Sequence, residues 1–182
     1  MNKMIGLFIL ASMVTFISPA RADLSNTTLL SLDVMYLDRE YEDSGTQTKS
    51  KQTDLDLKIT RVVKAWSYGA IYVTNSSDPA QSSRTSYGLS GGYFSDKDFY
   101  INFHYFLSSK YNLGPGAQYS KGTGYGIDLG FLTKITSSFL AGLMLSQRNY
   151  SYTEVSAGGV SASTSATHKE LIPMFTLAVA FQ

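Results

Sequence analysis

Leu171-Ile-Pro-Met-Phe-Thr-Leu-Ala-Val-Ala-Phe181 reads as the two faces of a single strand. Taking every second residue, Leu171, Pro173, Phe175, Leu177, Val179 and Phe181 make a face that is apolar throughout. Ile172, Met174, Thr176, Ala178 and Ala180 make the other, which is small or mixed. A period of two belongs to an extended chain whose side chains alternate across it. One fully apolar face opposite a mixed one is what a strand needs when lipid lies outside and a lumen inside. Phe175, Leu177, Val179 and Phe181 are therefore expected to face lipid.

The same alternation recurs upstream. Residues 28–40 set Leu30, Leu32, Val34 and Tyr36 against Ser31 and Asp33. Residues 51–63 set Leu55, Leu57 and Ile59 against Asp54, Asp56, Lys58 and Thr60. Further strands are expected at 66–74, 85–93, 99–107, 123–132 and 138–150, for example Phe99, Ile101, Phe103, Tyr105 and Leu107 against Tyr100, Asn102, His104 and Phe106. With 171–181 this makes eight strands. No apolar run after the first residues is long enough to cross a membrane as a helix.

The connections alternate too. Links at 41–50, 75–84, 108–122 and 151–167 are long and rich in Ser, Gly, Thr and Asn, whereas those near 64–65, 94–98 and 133–137 are short. Outer-membrane barrels pair long extracellular loops with short periplasmic turns. A sheet edge cannot be left open in lipid, where no water satisfies the backbone, so strand 171–181 is expected to pair with 28–40. The expected fold class is all-β, an eight-stranded antiparallel up-and-down transmembrane β-barrel. A lipocalin-type barrel would invert the two faces, placing the apolar side chains inside.

The first residues point to export. Lys3 is followed by the apolar run from Ile5 to Ile17, the breaker Ser18-Pro19 and the small-x-small site Ala20-Arg-Ala22. About thirteen apolar residues fall short of a membrane span of roughly twenty and fit a cleaved signal. The expected division is a signal peptide over 1–22 and a barrel over 23–182, located in a bacterial outer membrane. Removing Lys3 and Arg21 leaves thirteen basic against fourteen acidic residues, a charge near −1. That balance offers no basic patch for nucleic acid. The chain has no cysteine, so an exported fold must be held by packing or by a membrane.

On the cleavage site Ala20-Arg-Ala22, the alternating strands and the terminal Pro173–Phe181, the chain resembles the small eight-stranded outer-membrane proteins, the OmpA transmembrane-domain and OmpX-like group. The resemblance is architectural and covers nearly everything after residue 26. It implies surroundings of outer-membrane lipid and lipopolysaccharide, and recognition of the last strand by the barrel-assembly machinery. Phe181 is penultimate here, where that group usually ends on its aromatic residue. A peptidoglycan-binding domain like that of full-length OmpA-type chains is not expected here.

Candidate chemistry lies with the inward charges Asp33, Asp56, Lys58, His104, Asp128, Arg148 and Glu170. Asp33 with Lys58, and Arg148 with Glu170, lie on neighbouring strands. An eight-stranded barrel is just wide enough to be filled by side chains, and charges inside it must be paired. This favours a salt-bridged polar plug, with a narrow channel as the alternative. Tyr100 and His104 beside Gly88, Gly92, Gly124, Gly126 and Gly130 put bulk next to space, which also fills a lumen. Barrels that modify lipid A use a His with a Ser, making His168 with Ser163 or Ser165 the candidate for a lipid-modifying enzyme. No catalytic spacing relates them. No His or Cys cluster has metal-ligand spacing, and no cofactor is implied. The expected role is structural or surface-interacting. Tyr111, Leu113 and Tyr119 in the link 108–122 are the best candidates to touch an extracellular ligand. Lys49, Lys51, Lys110 and Lys121 are candidates for lipopolysaccharide phosphates.

Overall fold

The computed structural model describes residues 24–43, 46–78, 80–95 and 98–181. The expected signal at 1–22, together with Asp23 and Gln182, lies outside the described residues. Eight strands follow one another: β1 (Thr28–Asp43), β2 (Thr46–Val63), β3 (Trp66–Asp78), β4 (Ser82–Phe94), β5 (Phe99–Gly114), β6 (Ala117–Lys134), β7 (Phe139–Ala157) and β8 (Val160–Phe181). Each pairs antiparallel with the next, and β8 returns to β1 to close the barrel. Thr28 stands opposite Phe181, so the two ends of the barrel chain meet at one rim, here the near rim.

The faces are those the alternation predicts. Leu57, Ile59, Leu89, Phe103, Leu129, Leu143 and Leu177 are exposed on the outside. Aromatic residues bound this belt: Trp66, Tyr93, Phe99, Phe131, Phe139 and Phe181 towards the near rim, and Tyr36, Tyr72, Tyr87, Tyr105 and Tyr125 at the other limit. Trp66 and Tyr93 meet edge to face at 5.7 Å, as do Phe99 and Phe131 at 6.3 Å. Along β8 the belt runs from Leu171 to Phe181, about 33 Å at the usual rise and about 25 Å tall once the strand is tilted.

The connections depart from the expectation. At the near rim the links are the short 64–65, 95–98 and 135–138. At the far rim the segments read as long loops are mostly strand: β5 and β6 continue to Gly114 and Ala117, and β7 and β8 to Ala157 and Val160. Beyond the belt, both faces of a strand meet water, so the alternation that marks a strand fades although the ladder goes on. Ser, Thr, Gly and Asn there imitate a loop in composition. The β7–β8 turn itself is marked by Gly158 and Gly159, at φ 57° and 83°. Two consecutive positive φ values are what a two-residue hairpin turn asks for, and glycine adopts them without strain.

Inside, the side chains fall into tiers. Leu24, Leu29, Val62, Phe94, Leu132, Leu140 and Ala178 form an apolar cluster towards the near rim, with Phe94 stacked on Tyr100 at 5.1 Å. Phe106, Tyr150 and Tyr152 form an aromatic cluster towards the far rim. Charged side chains lie between and among them. Tyr100 stands opposite Gly130, and a Cβ on that glycine would run into the tyrosine ring.

Candidate functional site in the barrel lumen

Inward positions on seven strands bring the charged residues together, each placed by the parity of its strand. Lys58 on β2 is at the centre: its Nζ lies 2.8 Å from Asp33 Oδ2 on β1 and also bridges to Asp128 on β6. His104 Nε2, from β5, is 2.7 Å from Asp128 Oδ2. Ser146 Oγ donates to Asp128 Oδ1 at 2.6 Å, and Arg148 Nε donates to Ser146 Oγ at 2.9 Å. Arg148 then crosses the lumen to pair with Asp56. The side chains of Arg148 and Asp56 have no solvent exposure. A buried ion costs several kcal/mol in desolvation unless paired and hydrogen-bonded, so removing one partner exposes the other to that cost.

A second group lies nearer the far rim. Arg84 pairs with Glu170, whose Oε1 is 3.1 Å from His168 Nε2. The Arg84 guanidinium lies 4.2 Å from the centre of the Tyr150 ring and 5.9 Å from that of Tyr111. Asp54 accepts from Asn75 Nδ2 at 2.6 Å and from Gln52 Nε2 at 2.9 Å. Tyr152 Oη and Ser109 Oγ are 2.9 Å apart, and Ser86 Oγ donates to Ser109 Oγ at 2.8 Å.

All seven lumen residues singled out in the sequence therefore face inward, and Asp33 and Lys58 meet as neighbours. Arg148 and Glu170 do not meet. They are register partners on β7 and β8, but each reaches instead to a charge on another strand: Arg148 to Asp56 and Glu170 to Arg84. Arg84 stands one residue before the expected strand 85–93, inside β4. Its parity with Ser86 and Gly88 turns it inward. Asp54, inward by the same rule, forms a group of its own with Asn75 and Gln52.

Two candidate sets change character. Tyr111 and Tyr119 are register partners on β5 and β6 rather than loop residues. Their rings stack on each other at 6.5 Å, and Tyr119 stacks on Tyr152 at 5.6 Å. They roof the lumen, leaving Leu113 exposed. His168 turns inward to Glu170, whereas Ser165 lies exposed on the other face of β8, and Ser163 is exposed two residues further on. Among the lysines, Lys51, Lys110 and Lys121 are exposed, and Lys121 pairs with Glu154 at 2.7 Å. The side chain of Lys49 lies outside the described residues. No group of three metal-ligand side chains occurs among the described residues.

Fold and lumen together define a class: a closed eight-stranded up-and-down barrel, apolar and aromatic outside and ion-paired inside. No family model matches the chain, nor does any curated protein. Among solved structures the chain is similar to the crystal structure of Neisserial surface protein A, with a TM-score of 0.49, 12% identity and coverage of 86% of this chain and 98% of that one.

Proposed function

We propose that the chain is an integral barrel of a bacterial outer membrane with a structural or surface-interaction role, its lumen closed by the ion-paired network. The observation that carries this reading is the inversion of polarity. Exposed Leu, Ile, Phe, Tyr and Trp surround a lumen holding Arg84, Arg148, Lys58, Asp33, Asp56 and Asp128, all buried. Water would favour the opposite arrangement, and hydrocarbon favours this one. The belt of about 25 Å with aromatic limits matches a bilayer's hydrocarbon depth. The near rim would face the periplasm and the strand extensions the exterior. Export would follow from residues 1–22, and assembly from recognition of β8. Outer-membrane lipid would surround the belt, with Lys51 and Lys110 available to lipopolysaccharide phosphates above it.

The role is non-catalytic. His168 is engaged by Glu170, and Ser165 is on the opposite face of the strand. An unboiled sample from the outer-membrane fraction should migrate differently from a boiled one on a denaturing gel, the behaviour of a folded barrel. Recovery in the soluble periplasm, with no such difference, would overturn the membrane reading. Lipid A acyl chains, compared by mass spectrometry with and without the gene, should be unchanged; a lost or added chain would assign an enzyme instead.

A further inference from the structure

The closing seam of the barrel is incomplete. β1 and β8 pair over only seven residues, from Thr28 opposite Phe181 to Val34 opposite Phe175. Beyond that, Met35–Asp43 of β1 pairs with β2, and β8 back to Val160 pairs with β7, with no register between β1 and β8.

Backbone parity explains where the ladder stops. Ala180 N–H donates to Ser138 O at 2.8 Å, on the β7 side. Backbone groups alternate in direction along a strand, so the odd-numbered residues of β8, Pro173 among them, point at β1. Val62 N–H donates to Thr27 O at 2.8 Å, so Thr27 points at β2 and the even-numbered residues of β1 point at β8. The pair after Val34 and Phe175 would be Tyr36 and Pro173. Proline has no N–H to give, and a proline inside a sheet belongs at an unpaired edge. The ladder therefore ends at the last pair that can close.

The unpaired stretch begins inside the apolar belt, at Met35–Tyr36 and Leu171–Met174, and runs on above it. Tyr36, Leu171, Pro173 and Phe175 flank it outside. Met35, Ile172 and Met174 flank it inside, all buried, with Leu37 packed against them. At this height the rest of the lumen is charged, and Arg148 Nη2 lies 3.4 Å from Met174 Sδ. The seam thus joins the belt to an apolar, methionine-lined strip of the interior. Methionine is unbranched and repacks readily around a guest.

We infer that the β1–β8 seam at Pro173 is a lateral site for one hydrocarbon chain of a membrane lipid, taken up between Tyr36 and Pro173 against Met35, Ile172 and Met174. The occupant is hydrocarbon because the seam opens at belt depth and both its flanks are apolar. The lipid head would stay at the belt's upper limit, where Asp38 and Lys51 stand opposite each other on β1 and β2. The inference rests on the membrane placement proposed above.

The test uses the full-length barrel in vesicles of phosphatidylcholine with or without brominated acyl chains. Trp66, the chain's one tryptophan, is first replaced by Phe. A new tryptophan is then placed at Met174→Trp, or across the seam at Met35→Trp should the first not fold. Leu177→Trp serves as the lipid-facing control. Ile71→Trp, buried in the lumen on β3, measures quenching through an intact wall. A seam tryptophan should lose fluorescence to brominated lipid nearly as far as Leu177→Trp and well beyond Ile71→Trp. Adding Pro173→Val, which restores the missing donor, should bring the loss back to the Ile71→Trp level. Quenching at the seam no greater than at Ile71→Trp, with Leu177→Trp quenched, overturns the lateral site. So does quenching indifferent to Pro173→Val. An unquenched Leu177→Trp overturns the membrane placement itself.

Discussion

At the scale of single residues, the lumen charges depend on partners supplied by distant parts of the chain. Arg148 and Asp56 are both buried and paired. Arg148→Met leaves Asp56 unpaired and should cost about 3–5 kcal/mol, while Arg148→Met with Asp56→Leu should recover much of it, because an apolar pair has no ion to desolvate. Urea unfolding in lipid vesicles reads both values. The ring of Tyr100 occupies the space that a side chain at Gly130 would need. Gly130→Ala should therefore cost about 1–3 kcal/mol as overpacking, and Tyr100→Leu in the same chain should relieve it. Which residues face inward was legible residue by residue, since parity follows from the local chain alone. Arg84 is the exception, because the alternation that marks β4 in the sequence begins only at residue 85. The choice of partner was not legible: Arg148 and Glu170 stand opposite each other in register, yet each is claimed by a charge that approaches from another strand.

At the scale of the elements, strand faces were legible and strand ends at the far rim were not. Alternation reports a difference between two environments, and it vanishes where both sides of a strand are wet. The segments 108–122 and 151–167 thus looked like loops while continuing the ladders of β5–β6 and β7–β8. Amide hydrogen exchange should find Ser151, Tyr152 and Ala166 protected as sheet residues; rapid exchange there would return them to loops. The Glu154–Lys121 pair, 2.7 Å long, ties β7 to β6 above the belt. Hydrogen bonds from Lys121 and then Ser120 hold the Glu154 carboxyl below the ordinary glutamate value of 4.5. A depressed carboxyl adds stability above that value and loses it as pH falls through the lower one. Exchange near Lys121 should therefore stay slow just below pH 4.5 and quicken only in stronger acid, and Glu154→Gln should abolish the step. The pair is exposed, so the effect on global stability should be small.

At the scale of the whole molecule, filling and closure decide what the barrel can do. Tyr111, Tyr119 and Tyr152 roof a lumen whose middle is spanned by Lys58, Asp128 and Arg148. Planar bilayers holding the protein should show no steady conductance; a stable open level would replace the plug with a channel. Opening the roof with Tyr111→Ala and Tyr152→Ala should raise conductance and favour cations. The lumen carboxylates Asp33, Asp54, Asp56, Asp128 and Glu170 outnumber Lys58, Arg84 and Arg148.

The amino-acid sequence by itself determined the number of strands, their direction and the identity of their two faces. These follow from a two-residue period and from the preference of apolar side chains for hydrocarbon, both of which act locally. Only the tertiary structure decided which charges pair across the lumen and how far the strands run beyond the belt. It also decided that the seam stops two residues short of Pro173. Those outcomes depend on how eight strands are staggered when the sheet closes, which sets distances between residues that the chain keeps far apart.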